Sequence, residues 1–328
     1  MIQVQETTFN KSDSDSNIIV RTATEFIATL FAMFIIYTFS SLATAMYGIN
    51  LLMIAIGTGI AYAAAISFAA KISGGHINPA VTIAAMLTGR TSYISGILYI
   101  IAQIVGAIVA AGLFVFILPQ TKMVKDVNWF APVLNGYENG SISAVQLKSV
   151  NASFGIVTAL VVEVIAVALI ISVAMSSTNE KGRTKKNYAV NMGIAYTAAT
   201  FVTYQITGSS LNPARSTGIA LIAMSRELEV KPLEQLWAFW IAPVFAAAFV
   251  GFVILITKLL TVQTKHSAKY GRNNGKKVIF SNESIDKSII ATAENVTFEN
   301  ADNKTTSGKT DDSKTAASVS EETSEDAN

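Results

Sequence analysis

The tripeptide Asn-Pro-Ala occurs twice in this chain, at Asn78-Pro79-Ala80 and at Asn212-Pro213-Ala214. Each copy begins nineteen residues after the start of the same tetrapeptide, Gly59-Ile60-Ala61-Tyr62 in one case and Gly193-Ile194-Ala195-Tyr196 in the other. Further upstream, Glu25-Phe26-Ile27-Ala28 matches Glu163-Val164-Ile165-Ala166, and downstream Ile101-Ala102-Gln103 matches Ile241-Ala242-Pro243. Agreement in four registers marks an internal duplication. Apolar stretches surround these marks, over about 22–47, 51–70, 93–118, 154–176, 188–204 and 236–260. Each approaches the roughly 20 residues that a helix needs to cross about 30 Å of hydrocarbon. Three spans fall in each half, and three is odd. The second half must then enter the membrane from the opposite side, so the halves form an inverted repeat about an axis in the membrane plane.

Composition agrees with hydrocarbon as the solvent. Of the 328 residues 51% are hydrophobic and only 14% charged, against about a quarter charged in soluble domains. Half of the 22 acidic residues lie after Val278, so the body is poorer still in charge. These figures argue against a soluble enzyme with a solvated surface. The net charge of +2 is too small to attract nucleic acid. With no cysteine and only His76 and His266, neither a disulfide framework nor a metal centre is expected, and no cofactor is implied.

Basic residues set the orientation. Lys181, Arg183, Lys185 and Lys186 lie between spans four and five, and Lys265, Lys269, Arg272, Lys276 and Lys277 follow span six. Excess Lys and Arg mark the cytoplasmic side, so both termini are expected inside and the 119–153 link outside. The expected organisation is a cytoplasmic segment at 1–21, a channel domain at 22–262 with repeats at about 22–118 and 154–260, and a tail at 263–328. The tail is rich in Ser, Thr, Asn and acids, and reads as disordered because it cannot bury enough apolar surface to offset its ordering entropy. The start of the chain lacks the apolar core of a signal peptide.

Asparagine is a strong helix N-cap, and proline suits the first helical position because its missing N–H would be unpaired there anyway. Behind each motif lies a run too short to span, Val81 to Leu87 and Ser216 to Met224. These read as half-helices that enter from opposite faces and meet tip to tip near the midplane. Irregular backbone at that depth is tolerated only when packed in protein or lining a wet cavity. The two N-termini place partial positive charge there. The side-chain amides of Asn78 and Asn212 are then left to donate to a passing water, which opposes proton hopping and repels cations while neutral molecules pass. Intramembrane charges default to function. Arg215 has Val81 as its counterpart in the first motif, so it breaks the symmetry and would donate to a solute near the outer mouth. Glu25 and Glu163 are expected to accept the loops' unpaired backbone N–H groups. His76, with Lys71 beside it, reads as a packing or mouth residue. No catalytic set is evident, because Ser209 and Ser210 have no histidine in their half.

Ser73-Gly74-Gly75-His76-Ile77-Asn78-Pro79-Ala80-Val81-Thr82 and Leu211-Asn212-Pro213-Ala214-Arg215-Ser216 closely resemble the signatures of the aquaporin, or major intrinsic protein, family. The resemblance covers about Glu25 to Leu260. It implies six transmembrane helices plus two reentrant half-helices, all-α, with a pore in each subunit of a homotetramer in the cell (plasma) membrane. Glu25 and Glu163 fall where the family has loop-bracing glutamates, and Gln103 also matches. Ser216, Ala220 and Phe239-Trp240 look like those of a water channel rather than a glycerol facilitator. Counted without gaps from the asparagines, the filter positions become Thr58, Thr200, Ser209 and Arg215. Thr58 and Thr200 stand where water channels usually have an aromatic and a histidine, which implies a wider, still polar constriction. The expected function is a passive channel for water and for small uncharged solutes such as glycerol or urea, closed to protons and ions. A facilitator whose main cargo is glycerol or urea and a proton-coupled carrier using Glu25 and Glu163 stay beside it as alternatives.

Overall fold

The computed structural model describes residues 17–119, 124–138, 140–150, 152 and 154–273, with the side chains of 145–146 and of 262 onward excepted. The chain divides into two units, Met1–Val262 and Gln263–Asn328. In the first unit the helices are α1 (Ile18–Tyr47), α2 (Leu51–Ala69), α3 (Pro79–Leu87), α4 (Tyr93–Ile117), α5 (Asp126–Phe130), α6 (Ile142–Leu147), α7 (Gly155–Ser176), α8 (Tyr188–Thr207), α9 (Pro213–Ala223) and α10 (Pro232–Gln235). The last helix, α11, runs Ala238–Asn273. Residues 263–273, at the start of the tail expected at 263–328, continue this helix. Between Gly251 and Gly271 no glycine or proline interrupts the helix. The tail beyond 273 lies outside the described residues. Among the described residues no strand forms beyond a single antiparallel bridge between Thr178 and Thr184.

Helix starts follow capping chemistry. The side chains of Asn17, Asn50 and Ser92 accept hydrogen bonds from Ile19 N, Met53 N and Ser95 N at the heads of α1, α2 and α4. Asn17 explains why α1 begins four residues before the apolar run that marks it in the sequence. Among the described residues five helical stretches are long and apolar enough to cross a membrane, at Ile18–Tyr47, Leu51–Ala69, Tyr93–Ile117, Gly155–Ser176 and Pro232–Thr261. The sixth expected span, α8, has the length, 20 residues, but not the apolar composition. Its polar side chains turn inward: Thr200, Thr203 and Thr207 are buried, while Ile194 and Val202 are exposed.

The inverted repeat governs packing. Helix α1 packs on α2 as α7 packs on α8, and the halves join where α2 crosses α8. That crossing rests on the repeated tetrapeptide. A Cβ on Gly59 would lie 2.5 Å from Gly193 O and would also strike Thr197 Oγ1, and one on Gly193 would lie 2.8 Å from Gly59 O. The glycines bring the two backbones together, as small residues do between helices in lipid. Ile60 and Ile194 face outward, both 64% exposed, while Ala61, Tyr62, Ala195 and Tyr196 are buried. At one end of this pair Ile54 clusters with Tyr204 and with Ile142 of α6.

Gly59→Ala should force α2 and α8 apart at a cost of about 1–3 kcal/mol, read as a lower unfolding temperature in detergent. Gly112→Ala, where a Cβ would meet nothing within 4 Å, should leave that temperature unchanged.

Candidate functional site

The sequence gives each short helix a rigid start. Asn78 Oδ1 accepts from Ala80 N at 2.9 Å, and Asn212 Oδ1 accepts from Ala214 N at 2.9 Å and from Arg215 N at 3.4 Å. Pro79 and Pro213 occupy the first helical positions. The residue before each asparagine is left-handed, Ile77 at φ 54° and Leu211 at φ 54°. Such a conformation is disfavoured for both side chains, so surrounding bonds must hold it.

Those bonds are reciprocal. Asn78 Nδ2 donates to Leu211 O at 2.8 Å, and Asn212 Nδ2 donates to Ile77 O at 2.8 Å. The two half-helices thus meet tip to tip, each loop offering a carbonyl to the other's asparagine. Behind each carbonyl stands a buried carboxylate. Glu25 accepts from His76 N (2.9 Å), Ile77 N (2.7 Å), Ser73 Oγ (2.6 Å) and Gln103 Nε2 (2.8 Å). Glu163 accepts from Ser210 N (2.9 Å), Leu211 N (2.8 Å) and Thr207 Oγ1 (2.6 Å). Gln103 has no counterpart at Glu163, because the matching position in the second half is Pro243.

The second hydrogen on each asparagine amide is not free. Asn78 Nδ2 donates to Tyr196 Oη at 2.9 Å, and Asn212 Nδ2 donates to Tyr62 Oη at 3.0 Å. This corrects the expectation that the amides await a passing water. The tyrosine rings lie face to face, with centroids 3.4 Å apart and planes within 4°. In the sequence both tyrosines mark only the register of the repeat. Their place on one face with Thr58 and Thr200, at helical spacing of four, is the signal that could have found them.

Thr58 and Thr200 lie one turn from that pair, about 6 Å along their helices, toward the end where Ile54 meets Tyr204. Both are buried, and Thr200 Oγ1 has no hydrogen-bond partner among the described atoms. Ser209 joins Thr200 through its Oγ, which donates to Thr200 O at 3.4 Å, but its stronger link is to Thr203 Oγ1 at 2.8 Å. Arg215 is fixed by a residue outside the expected set: its Nη1 donates to Asn135 Oδ1 at 2.7 Å. Asn135 also accepts from Ser216 Oγ and donates to Gly208 O, which ties the α5–α6 link to both sides of the second motif. Arg215 O accepts from Tyr37 Oη at 2.6 Å. His76 Nδ1 pairs with Thr82 Oγ1 at 3.1 Å, and its ring stands edge-on to Tyr99. At the opposite mouth a concavity of about 530 Å³ is walled by Arg21, Lys71, Arg90, Lys181 and Arg183.

Comparison with known proteins gives one consistent result. Residues 13–254 match the family described as Major intrinsic protein. The chain is 32% identical over 237 residues to Aquaporin TIP2-3 of Arabidopsis thaliana, covering 70% of this chain and 83% of that one. It is 33% identical over 250 residues to Aquaporin-5 of Mus musculus, covering 74% and 83%. Aquaporin Z of Photorhabdus laumondii is 32% identical over 206 residues, covering 62% and 81%. Among solved structures, the aquaglyceroporin from Plasmodium falciparum superposes with a TM-score of 0.58 at 19% identity, covering 72% of this chain and 94% of that one. At that identity the likeness concerns the fold.

Glu163→Gln would set an amide N–H against Ser210 N or Leu211 N, with a cost of about 1–3 kcal/mol for each buried group left unpaired. A lower unfolding temperature of the detergent-solubilised protein is the expected result, with Glu180→Gln, on an exposed turn, unchanged.

Proposed function

The chain belongs to the major intrinsic protein family, and on that premise we propose that it is a passive transmembrane channel for water and small uncharged polar solutes, closed to protons and ions. The observation that carries this reading is the reciprocal pairing of Asn78 with Leu211 O and of Asn212 with Ile77 O. It brings two helix N-termini together, and their partial positive charges disfavour a cation between them. Asn78, Pro79, Ala80, Asn212, Pro213 and Ala214 form this constriction. Glu25 and Glu163 brace the loops behind it. The carrier alternative needs one of these carboxylates free to exchange protons, and draws no support from their occupation by loop donors.

Thr58, Thr200, Ser209 and Arg215 form the selectivity filter one turn further out. Support comes from the unpartnered Thr200 hydroxyl and from the guanidinium held by Asn135. A small polyol can bond to both kinds of group, and two threonines leave more width than a phenylalanine and a histidine would. The basic 181–186 link supports a cytoplasmic position for the α7–α8 side and both termini. The subunit assembles as a homotetramer in the plasma membrane.

The test is stopped-flow light scattering on proteoliposomes carrying wild type or Thr58→Phe/Thr200→His. Glycerol entry should fall by about tenfold or more, with water flux much less affected. Equal glycerol entry in the two proteins would remove the threonines from the filter.

A further inference from the structure

We infer that Tyr62 and Tyr196 form a paired valve at the midplane, which sets how fast this channel conducts. The inference rests on the channel reading above and adds a second barrier to the outer filter. Each tyrosine reaches from a wall helix, α2 or α8, to the asparagine at the tip of a half-helix. Each hydroxyl therefore fills the station on the asparagine amide where a transported water would have to bond. The rings close the space between those stations. With centroids 3.4 Å apart and near-parallel planes, they are in van der Waals contact and leave no room for a water between them.

The repeat built this device. Gly59 and Gly193 permit the close crossing of α2 and α8, and three residues later in each helix the tyrosines meet. Both are buried, Tyr62 at 1% and Tyr196 at 0% exposure, although neither is far from a polar path. Thr58 and Thr200 lie one turn to one side. Ile66 and Met192, both fully buried, lie one turn to the other.

The pair is also suited to opening. Directly superposed rings set like faces of their quadrupoles against each other, a less favourable arrangement than an offset or edge-on one. The hydroxyl–amide bonds therefore carry much of the hold. A bond of this kind is weak on balance, because water replaces it when it breaks. Each conducted molecule takes over an asparagine hydrogen as a ring swings aside, so the valve favours cargo that can accept a hydrogen bond. Apolar molecules offer no such exchange.

The experiment compares wild type, Tyr62→Leu/Tyr196→Leu and Tyr62→Phe/Tyr196→Phe in proteoliposomes at matched protein content. Water permeability is measured by stopped flow, and folding by circular dichroism and gel filtration. The leucine pair removes rings and hydroxyls, and should raise water permeability by roughly tenfold, the factor that about 1.4 kcal/mol of lost barrier gives. The phenylalanine pair keeps the rings but frees both amide hydrogens, and should raise it by a smaller factor. That variant carries the test should the leucine pair not fold. Wild-type conduction above protein-free vesicles, with no increase in either folded variant, would overturn the valve and leave the channel standing. Permeability at the protein-free level in all three proteins would overturn the channel reading itself.

Discussion

The structure depends on two residues that do nothing conspicuous in the sequence, Ile77 and Leu211. Each stands left-handed before its asparagine, with its N–H on a buried carboxylate and its carbonyl on the opposite loop's amide. Through them Glu25 is linked to Asn212 and Glu163 to Asn78. An open loop in the middle of a membrane protein has no water to satisfy its backbone, and each unpaired group costs several kcal/mol. Here the N–H groups of His76, Ile77, Ser210 and Leu211 are answered by side chains rooted in α1 and α7. The strained backbone and the buried charge thus stabilise each other, and neither would persist alone.

From this follows an electrostatic arrangement that suits uncharged cargo. Two helix N-termini converge and bring positive potential with them. The carboxylates behind the loops are occupied by loop donors and stand behind the motifs. Further out Arg215 adds a full charge, held by Asn135 and backed by Tyr37. A cation moving along this line would meet like charge twice. A solute oxygen would meet the Arg215 guanidinium as a donor.

Much of this was legible in the sequence, because the chemistry that builds it is local. Asn-Pro-Ala states a cap and a first turn, and both half-helices start at its proline. Glu25 and Glu163 stood out as charges in apolar spans, and the structure puts loop N–H groups on both. The long α5–α6 link hid Asn135, since no period or motif distinguishes it from other loop residues. Counting to Thr58, Thr200 and Ser209 gave positions but not orientations; the Ser209 hydroxyl turns chiefly to Thr203, while that of Thr200 stays unpartnered. Tyr62 and Tyr196 were visible in the repeated tetrapeptide, yet their contact depends on how closely α2 and α8 cross. That distance is tertiary and no single helix encodes it. The continuation of α11 to Asn273 has a plainer cause, since no glycine or proline interrupts it between Gly251 and Gly271.

The proposed channel must pass molecules where protons do not. Vesicles loaded with a pH-sensitive dye, reconstituted with the wild-type protein and given an osmotic step and a pH step in turn, measure both. The expected result is water permeability well above that of protein-free vesicles, with acidification of the lumen no faster than in those vesicles. Proton entry that rises in proportion to water flux would contradict it, because opposed helix termini at the Asn78–Asn212 junction could not then be the barrier that every molecule crosses.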